Sequence, residues 1–116
     1  MDSLEGLKLA MRKFADERDW NQFHSPKNLA MALSGEAGEL IECFQWLTED
    51  QSSNLTDAQR AAVADEIADV QLYLVRLADK VGVDIGTAVE QKIKKNEVKY
   101  PADKVRGSSK KYSEYE

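Results

Sequence analysis

Four carboxylates at matched spacing are the residues best suited to do chemistry. Glu36 and Glu39 form one E-x-x-[ED] pair, and Glu66 and Asp69 form a second. Each pair lies in a segment with a 3.6-residue apolar period, the mark of an amphipathic helix. A helix turns about 100° per residue. With Glu36 at zero, Leu29, Leu40, Cys43 and Leu47 fall within roughly 40° of it, so the carboxylate sits in the middle of an apolar face. Glu39 lies about 60° to one side. In the second segment Val70, Tyr73 and Leu77 fall within about 40° of Glu66, with Asp69 about 60° to the same side. The two segments share one register: Glu36 matches Glu66, Glu39 matches Asp69, Leu40 matches Val70, Phe44 matches Leu74 and Leu47 matches Leu77. Antiparallel packing through these faces would bring all four carboxylates together.

Such a cluster needs compensation, because burying unpaired like charges is costly. A salt-bridge network, raised pKa values or a bound cation would supply it. Bases are scarce on these faces: Arg76 and Lys80 stand near the stripe, both toward one end. A cation fits better, and an all-carboxylate site suits hard ions, Mg²⁺ first and Mn²⁺ as the alternative. A di-iron bundle requires Glu-x-x-His motifs, and no His follows these residues. With His24 and Cys43 the only His and Cys, a His- or Cys-rich zinc site is excluded. Neither G-x-x-x-x-G-K-[ST] nor G-x-G-x-x-G occurs. A metal held by four carboxylates has a polyphosphate as its natural ligand, with lysines neutralising the remaining charge. The segment from Lys92 to Lys111 is rich in such bases: Lys92, Lys94, Lys95, Lys99, Lys104, Arg106, Lys110 and Lys111. A solvated helix face with a basic tail is the commoner meaning of such a run.

Aromatic residues flank the acidic pairs. Trp20 and His24 lie in the link before Glu36, Trp46 follows about 80° from Glu36 on the expected helix, and Tyr73 is two turns from Glu66 and one from Asp69. They suit base stacking and sugar contact, worth about 1–3 kcal/mol per stacked base, or equally a role in the core.

The elements that must position these residues are helical. Four helices are expected. The first follows Ser3, carries Leu4, Leu7, Met11 and Phe14 inward and ends near Asp19. The second is capped by Ser25 with Pro26 at its first position and runs to about Leu47. Thr48 to Leu55 is polar and reads as a loop. The third opens on the capping box Thr56-Asp57-Ala58-Gln59 and ends near Gly82. The fourth runs from Asp84 to Tyr100 and stops at Pro101. Residues 1–101 then form one helical domain, and 102–116 a basic, polar, extended tail. Gly35, Ala37 and Gly38 admit a close backbone, and Met31, Ile41 and Val75 add apolar surface away from the carboxylates. Helices apolar on two sides are buried on two sides, which predicts a dimer or a dimer of dimers.

Composition is consistent with this. The chain has 116 residues, 42% of them hydrophobic and 32% charged, with a net charge of −5. That balance argues against coating a nucleic acid. There is no signal-peptide start and no apolar run of the ~20 residues needed to span a bilayer. With the lone Cys43, a cytoplasmic protein without membrane association is expected.

Several stretches resemble one family. Arg18–Leu29 (RDWNQFHSPKNL), Gly35–Leu40 (GEAGEL), Phe44-Gln45-Trp46, Asp65–Val70 (DEIADV), Lys99-Tyr100-Pro101 and Ser108–Tyr112 (SSKKY) resemble the MazG-like all-α NTP pyrophosphatases, most closely the single-domain dCTP pyrophosphatase branch. The resemblance implies a Mg²⁺-dependent cleavage between the α and β phosphates, releasing a monophosphate and diphosphate in nucleotide-pool sanitation. It implies Glu36, Glu39, Glu66 and Asp69 as metal ligands. It also implies Trp20, His24, Trp46 and Tyr73 as base and sugar contacts, and Asn96, Lys99, Lys110 and Lys111 as phosphate contacts. The general base is expected to be Glu36 or Glu39. Homodimers or homotetramers complete the pocket in this family. Animal members place a His where this chain has Met11, so a range of bases wider than dCTP is expected. Two other outcomes are consistent with the residues: a pyrophosphohydrolase for dUTP or phosphoribosyl-ATP, or a non-catalytic helical module that binds a nucleotide or partner.

Overall fold

Side chains that accept backbone N–H groups set the helix starts. The computed structural model describes residues 3–109. In α1 (Leu4–Glu17), Ser3 Oγ accepts from Gly6 N–H at 3.0 Å. In α2 (Pro26–Glu42), Ser25 Oγ accepts from Asn28 N–H at 3.1 Å, with Pro26 where its missing N–H costs nothing. A four-residue helix, α3 (Glu49–Ser52), follows. Next, α4 (Asp57–Val81) opens on a reciprocal box: Gln59 N–H donates to Thr56 Oγ1 at 3.1 Å, and Thr56 N–H donates to Gln59 Oε1 at 2.9 Å. Gly82 ends it at φ 73°, a left-handed conformation that suits glycine. Asp84 caps α5 (Ile85–Lys99), and α6 (Ala102–Val105) follows Pro101.

The all-α expectation stands: among the described residues there are four long helices, two short ones, one 3₁₀ turn at Asn21–Phe23 and no strand. Three local expectations are corrected. Thr48 to Leu55 is not all loop, because Thr48 and Gln51 form a second capping box that holds α3. α2 stops at Glu42 rather than Leu47. There the bonds tighten to i→i+3, with Phe44 N–H on Ile41 O and Leu47 N–H on Phe44 O, both at 2.9 Å. Trp46 is therefore off the helix, and its expected angle to Glu36 does not apply. Beyond Pro101 the chain is helical over α6 before Gly107, not extended.

Backbone packing divides the chain into two compact units, one ending at Val83 and one beginning at Asp84. In the first unit α4 packs along α2 and against α1. Its buried apolar residues are Ala15, Leu29, Val63, Val75 and Ala78. Burying Leu29 alone contributes about 1.5–3 kcal/mol. Leu40, late in α2, and Phe44, just beyond its end, flank Val63 and Ile67, early in α4, while Leu29 flanks Tyr73. The two helices therefore run antiparallel, as the carboxylate register requires. Val75, expected on an outer face, is 2% exposed and belongs to the core, whereas Met31 and Ile41 are 64% and 63% exposed. Apart from the adjoining turns of α2 itself, no atom of the described residues lies within 4 Å of a Cβ built on Gly35 or Gly38, so the close contact expected there is not made among them. Among the described residues no helix is long and apolar enough to cross a membrane.

Candidate active site

The antiparallel α2–α4 pair brings the four carboxylates together. One oxygen each from Glu36, Glu39, Glu66 and Asp69 lies within 4.8 Å of the others. Glu36, Glu66 and Asp69 are half-buried and Glu39 is exposed. None of the ion pairs among the described residues involves them. Glu36 Oε2 and Glu66 Oε2 are buried with no hydrogen-bond partner. Buried carboxylate oxygens in that state are costly.

The electrostatics record the strain. Sharing a hydrogen bond with Glu39 pushes Glu36 up to about 6 from 4.5, with burial and the charges of Glu39, Asp69 and Glu66 adding to it. Glu66 is raised as well, first by burial and then by Glu39. For Glu36 and Glu66 the neighbouring carboxylates add to the cost of ionisation. A divalent cation removes that cost, and two orphaned oxygens are what it would engage. The donor set is all oxygen, which fits a hard ion.

A cavity of about 190 Å³ adjoins the cluster through a shared wall, Asp69. Met11, Phe14, Trp20, His24, Leu29, Leu72, Tyr73 and Arg76 complete its lining. The turn after α1 builds this wall. Asp19 takes a left-handed φ of 54°, which Asp tolerates better than most residues. Trp20 N–H then reaches back to Ala15 O at 2.9 Å. The indole is held edge-on to Phe14, ring centres 5.6 Å apart, and to His24 at 6.3 Å.

The structure thus gathers Trp20, His24 and Tyr73 beside the acidic cluster. It does not bring Trp46 there: this side chain is 86% exposed and does not line the cavity. Asn96 and Lys99 lie on α5, in the second unit. Lys110 and Lys111 fall outside the described residues.

Sequence reading assigned no role to Arg76, which is 3% exposed. Its Nε donates to His24 Nδ1 at 3.1 Å, and a terminal nitrogen donates to Asn21 Oδ1. Asp79 lies 3.5 Å from it and accepts from Arg12 at 2.6 and 2.8 Å. Its signal was the one that exposed the carboxylates: a charge about 80° from Glu66, within the apolar frame of α4. Met11, expected on the inward face of the first helix and noted as a departure from animal relatives, is part of the cavity wall.

Similarity to known proteins agrees with this geometry. Human dCTP pyrophosphatase 1 is 46% identical over 114 residues, covering 97% of this chain and 67% of that protein. The mouse dCTP pyrophosphatase 1 is 45% identical over the same lengths. A crystal structure of a pyrophosphatase from Archaeoglobus fulgidus superposes with a TM-score of 0.79 at 42% identity, covering 84% of this chain and 91% of that one. The family model described as MazG-like matches residues 31–115. With both acidic pairs inside the matched segment, the chain belongs to the MazG-like family.

Proposed function

We propose that this chain is a nucleotide pyrophosphohydrolase that converts a deoxynucleoside triphosphate and water into the monophosphate and diphosphate, with dCTP-like nucleotides preferred. One observation carries the proposal. Four carboxylates, two with buried unpartnered oxygens, stand beside an aromatic-lined cavity that shares Asp69 with them. The relatives named dCTP pyrophosphatase support the substrate class.

Glu36, Glu39, Glu66 and Asp69 would hold Mg²⁺, with Mn²⁺ as the alternative. When bound, the ion supplies positive charge for phosphate oxygens and lowers the pKa of water. Glu36 or Glu39 takes the proton of the attacking water, being within the cluster that faces it. The water oxygen bonds to the α-phosphorus, the α–β bridging bond breaks, and diphosphate leaves with the bridging oxygen. Trp20 and Tyr73 hold the base and sugar, with His24 at the base edge. Trp46, Asn96, Lys99, Lys110 and Lys111 are assigned to the substrate by resemblance alone. Met11 in the cavity wall favours a wider range of bases.

Self-association as a dimer or tetramer belongs to the same proposal. Met31, Ile41 and Ile67 are more than half exposed, and Gly35 and Gly38 leave room for a second backbone. A cytoplasmic role in clearing nucleotides belongs to the same proposal, and an unpaired Cys43 is compatible with it.

The test is product analysis by ion-exchange chromatography. Each common NTP and dNTP, and 5-methyl-dCTP, is incubated with the protein in Mg²⁺ and in EDTA. Monophosphate plus diphosphate in Mg²⁺ alone is the expected result. Diphosphonucleoside plus phosphate, or no product from any nucleotide, would overturn the proposal.

A further inference from the structure

The reaction described above leaves Arg76 without a task, although it is the one buried charged side chain among the described residues. Each of its three nitrogens has a partner inside the chain. Nε serves His24, one terminal nitrogen serves Asn21, and the other lies 3.5 Å from Asp79. Arg12 anchors Asp79 in turn. Arg76 is thus oriented by the scaffold and not directed at a phosphate.

This orientation has a chemical consequence for His24. A guanidinium only donates and keeps its protons at any working pH. Nδ1 of His24 is therefore the acceptor in their bond and carries no proton. The neutral ring then has its single N–H at Nε2. Burial first, then the charges of Arg76 and Lys80, lower the His24 pKa from its ordinary value, a direction that favours the neutral ring. His24 lines the cavity, and among the described residues no hydrogen bond engages Nε2.

We infer that Arg76 is a positioning residue that fixes His24 as the Nε2–H tautomer, so that the cavity reads a nucleobase by donating to an acceptor on its edge. The inference rests on the proposed placement of the base in this cavity. A ring carbonyl or an unprotonated ring nitrogen satisfies such a donor, as O2 and N3 of cytosine do. An exocyclic amine in the same place would set donor against donor, leaving both unpaired at a cost.

His24 is the only histidine in the chain, so ¹⁵N-histidine labelling of the full protein reports on this ring alone. At neutral pH the wild type is expected to show a bare, hydrogen-bonded Nδ1 and a protonated Nε2. Arg76→Lys removes the Nε–H donor and keeps a cation. It is expected to shift the ring toward the other tautomer and to raise KM for dCTP about 3- to 10-fold, with a smaller change in kcat. Asn21→Ala frees the other anchor of Arg76 and should move the same ring signals, which provides a second variant should Arg76→Lys fold poorly. His24→Gln, which retains an N–H, should keep KM nearer wild type than His24→Phe. A protonated Nδ1 in the wild type would overturn the inference, as would ring signals and KM untouched by Arg76→Lys. The expected tautomer with a KM unchanged in His24→Phe would overturn the base readout differently, by showing that the base does not bind in this cavity.

Discussion

Two charge clusters share α4, one around buried Arg76 and one of largely half-buried carboxylates, and they are built on opposite terms. Near its C-terminal end, Arg76 is satisfied from within the chain: His24, Asn21 and Asp79 surround it, and Arg12 holds Asp79. Nearly three turns earlier, Glu66 meets Glu36, Glu39 and Asp69, like charges only, and two oxygens have no partner. Folding completes the first cluster and leaves the second incomplete. A buried charge with internal partners is scaffold, whereas one without them is a place for a ligand. The comparison also separates holding from binding: the satisfied cluster holds His24 in place, and the unsatisfied one is where the proposed function puts the metal and the phosphates.

Substitutions should affect the two clusters differently. The largest effect expected is on turnover. Glu66→Gln keeps shape and removes a charge, so kcat/KM should fall roughly 1,000-fold while the metal-free melting temperature holds or rises. Steady-state kinetics and calorimetry measure the two sides. A clear loss of metal-free stability would erase the distinction between the clusters.

Arg76→Met should do the reverse in stability. It strips partners from His24 and Asn21 and weakens the hold on Asp79, so denaturant unfolding should show a loss of about 3 kcal/mol. Next comes the cation itself. Mg²⁺ at 100 times its dissociation constant should stabilise the wild type by about 2.7 kcal/mol, and Glu66→Gln should lose most of that gain in the same melts.

A pH effect follows from Glu36. Its folded value of about 6 lies above the ordinary 4.5, so the folded state binds this proton more tightly than the unfolded chain. The cost is absent below about 4.5, grows as pH rises through that window and is complete above about 6. In EDTA this cluster's contribution therefore makes the protein more stable near pH 5 than near pH 7, and Mg²⁺ should flatten the difference. Melting curves at both pH values, with and without the ion, decide it. The smallest effect is at Arg12, a half-exposed partner of Asp79. This pair lowers the Asp79 pKa, so its stabilisation is present above about 3.8 and lost as pH falls further. Arg12→Ala should cost less than Arg76→Met and should remove only that acid-sensitive part.

Much of the scaffold was legible because its causes are local. Ser25 with Pro26, Thr56 with Gln59 and Gly82 act within one turn of their own positions, and each does in the fold what its neighbours imply. α3 carried the same kind of signal in Thr48 and Gln51, but without an apolar face it read as loop. The end of α2 was not legible. Phe44 and Leu47 keep the helical period, and nothing local shows that the backbone tightens after Glu42.

The acidic site was legible for a different reason. Charges on an apolar stripe conflict with burial, and two stripes in one register imply one cluster. That much the amino-acid order determined by itself: all-helical elements, their caps and the four carboxylates that meet. Tertiary structure alone decided that Asp69 joins the cluster to the cavity, that Trp20 and His24 line it while Trp46 does not, and that Arg76 is spent on His24. These are contacts between residues some fifty positions apart, such as Arg76 with His24 and Asn21. Helical periodicity assigns a residue to a face, but which partner covers that face depends on how the helices pack.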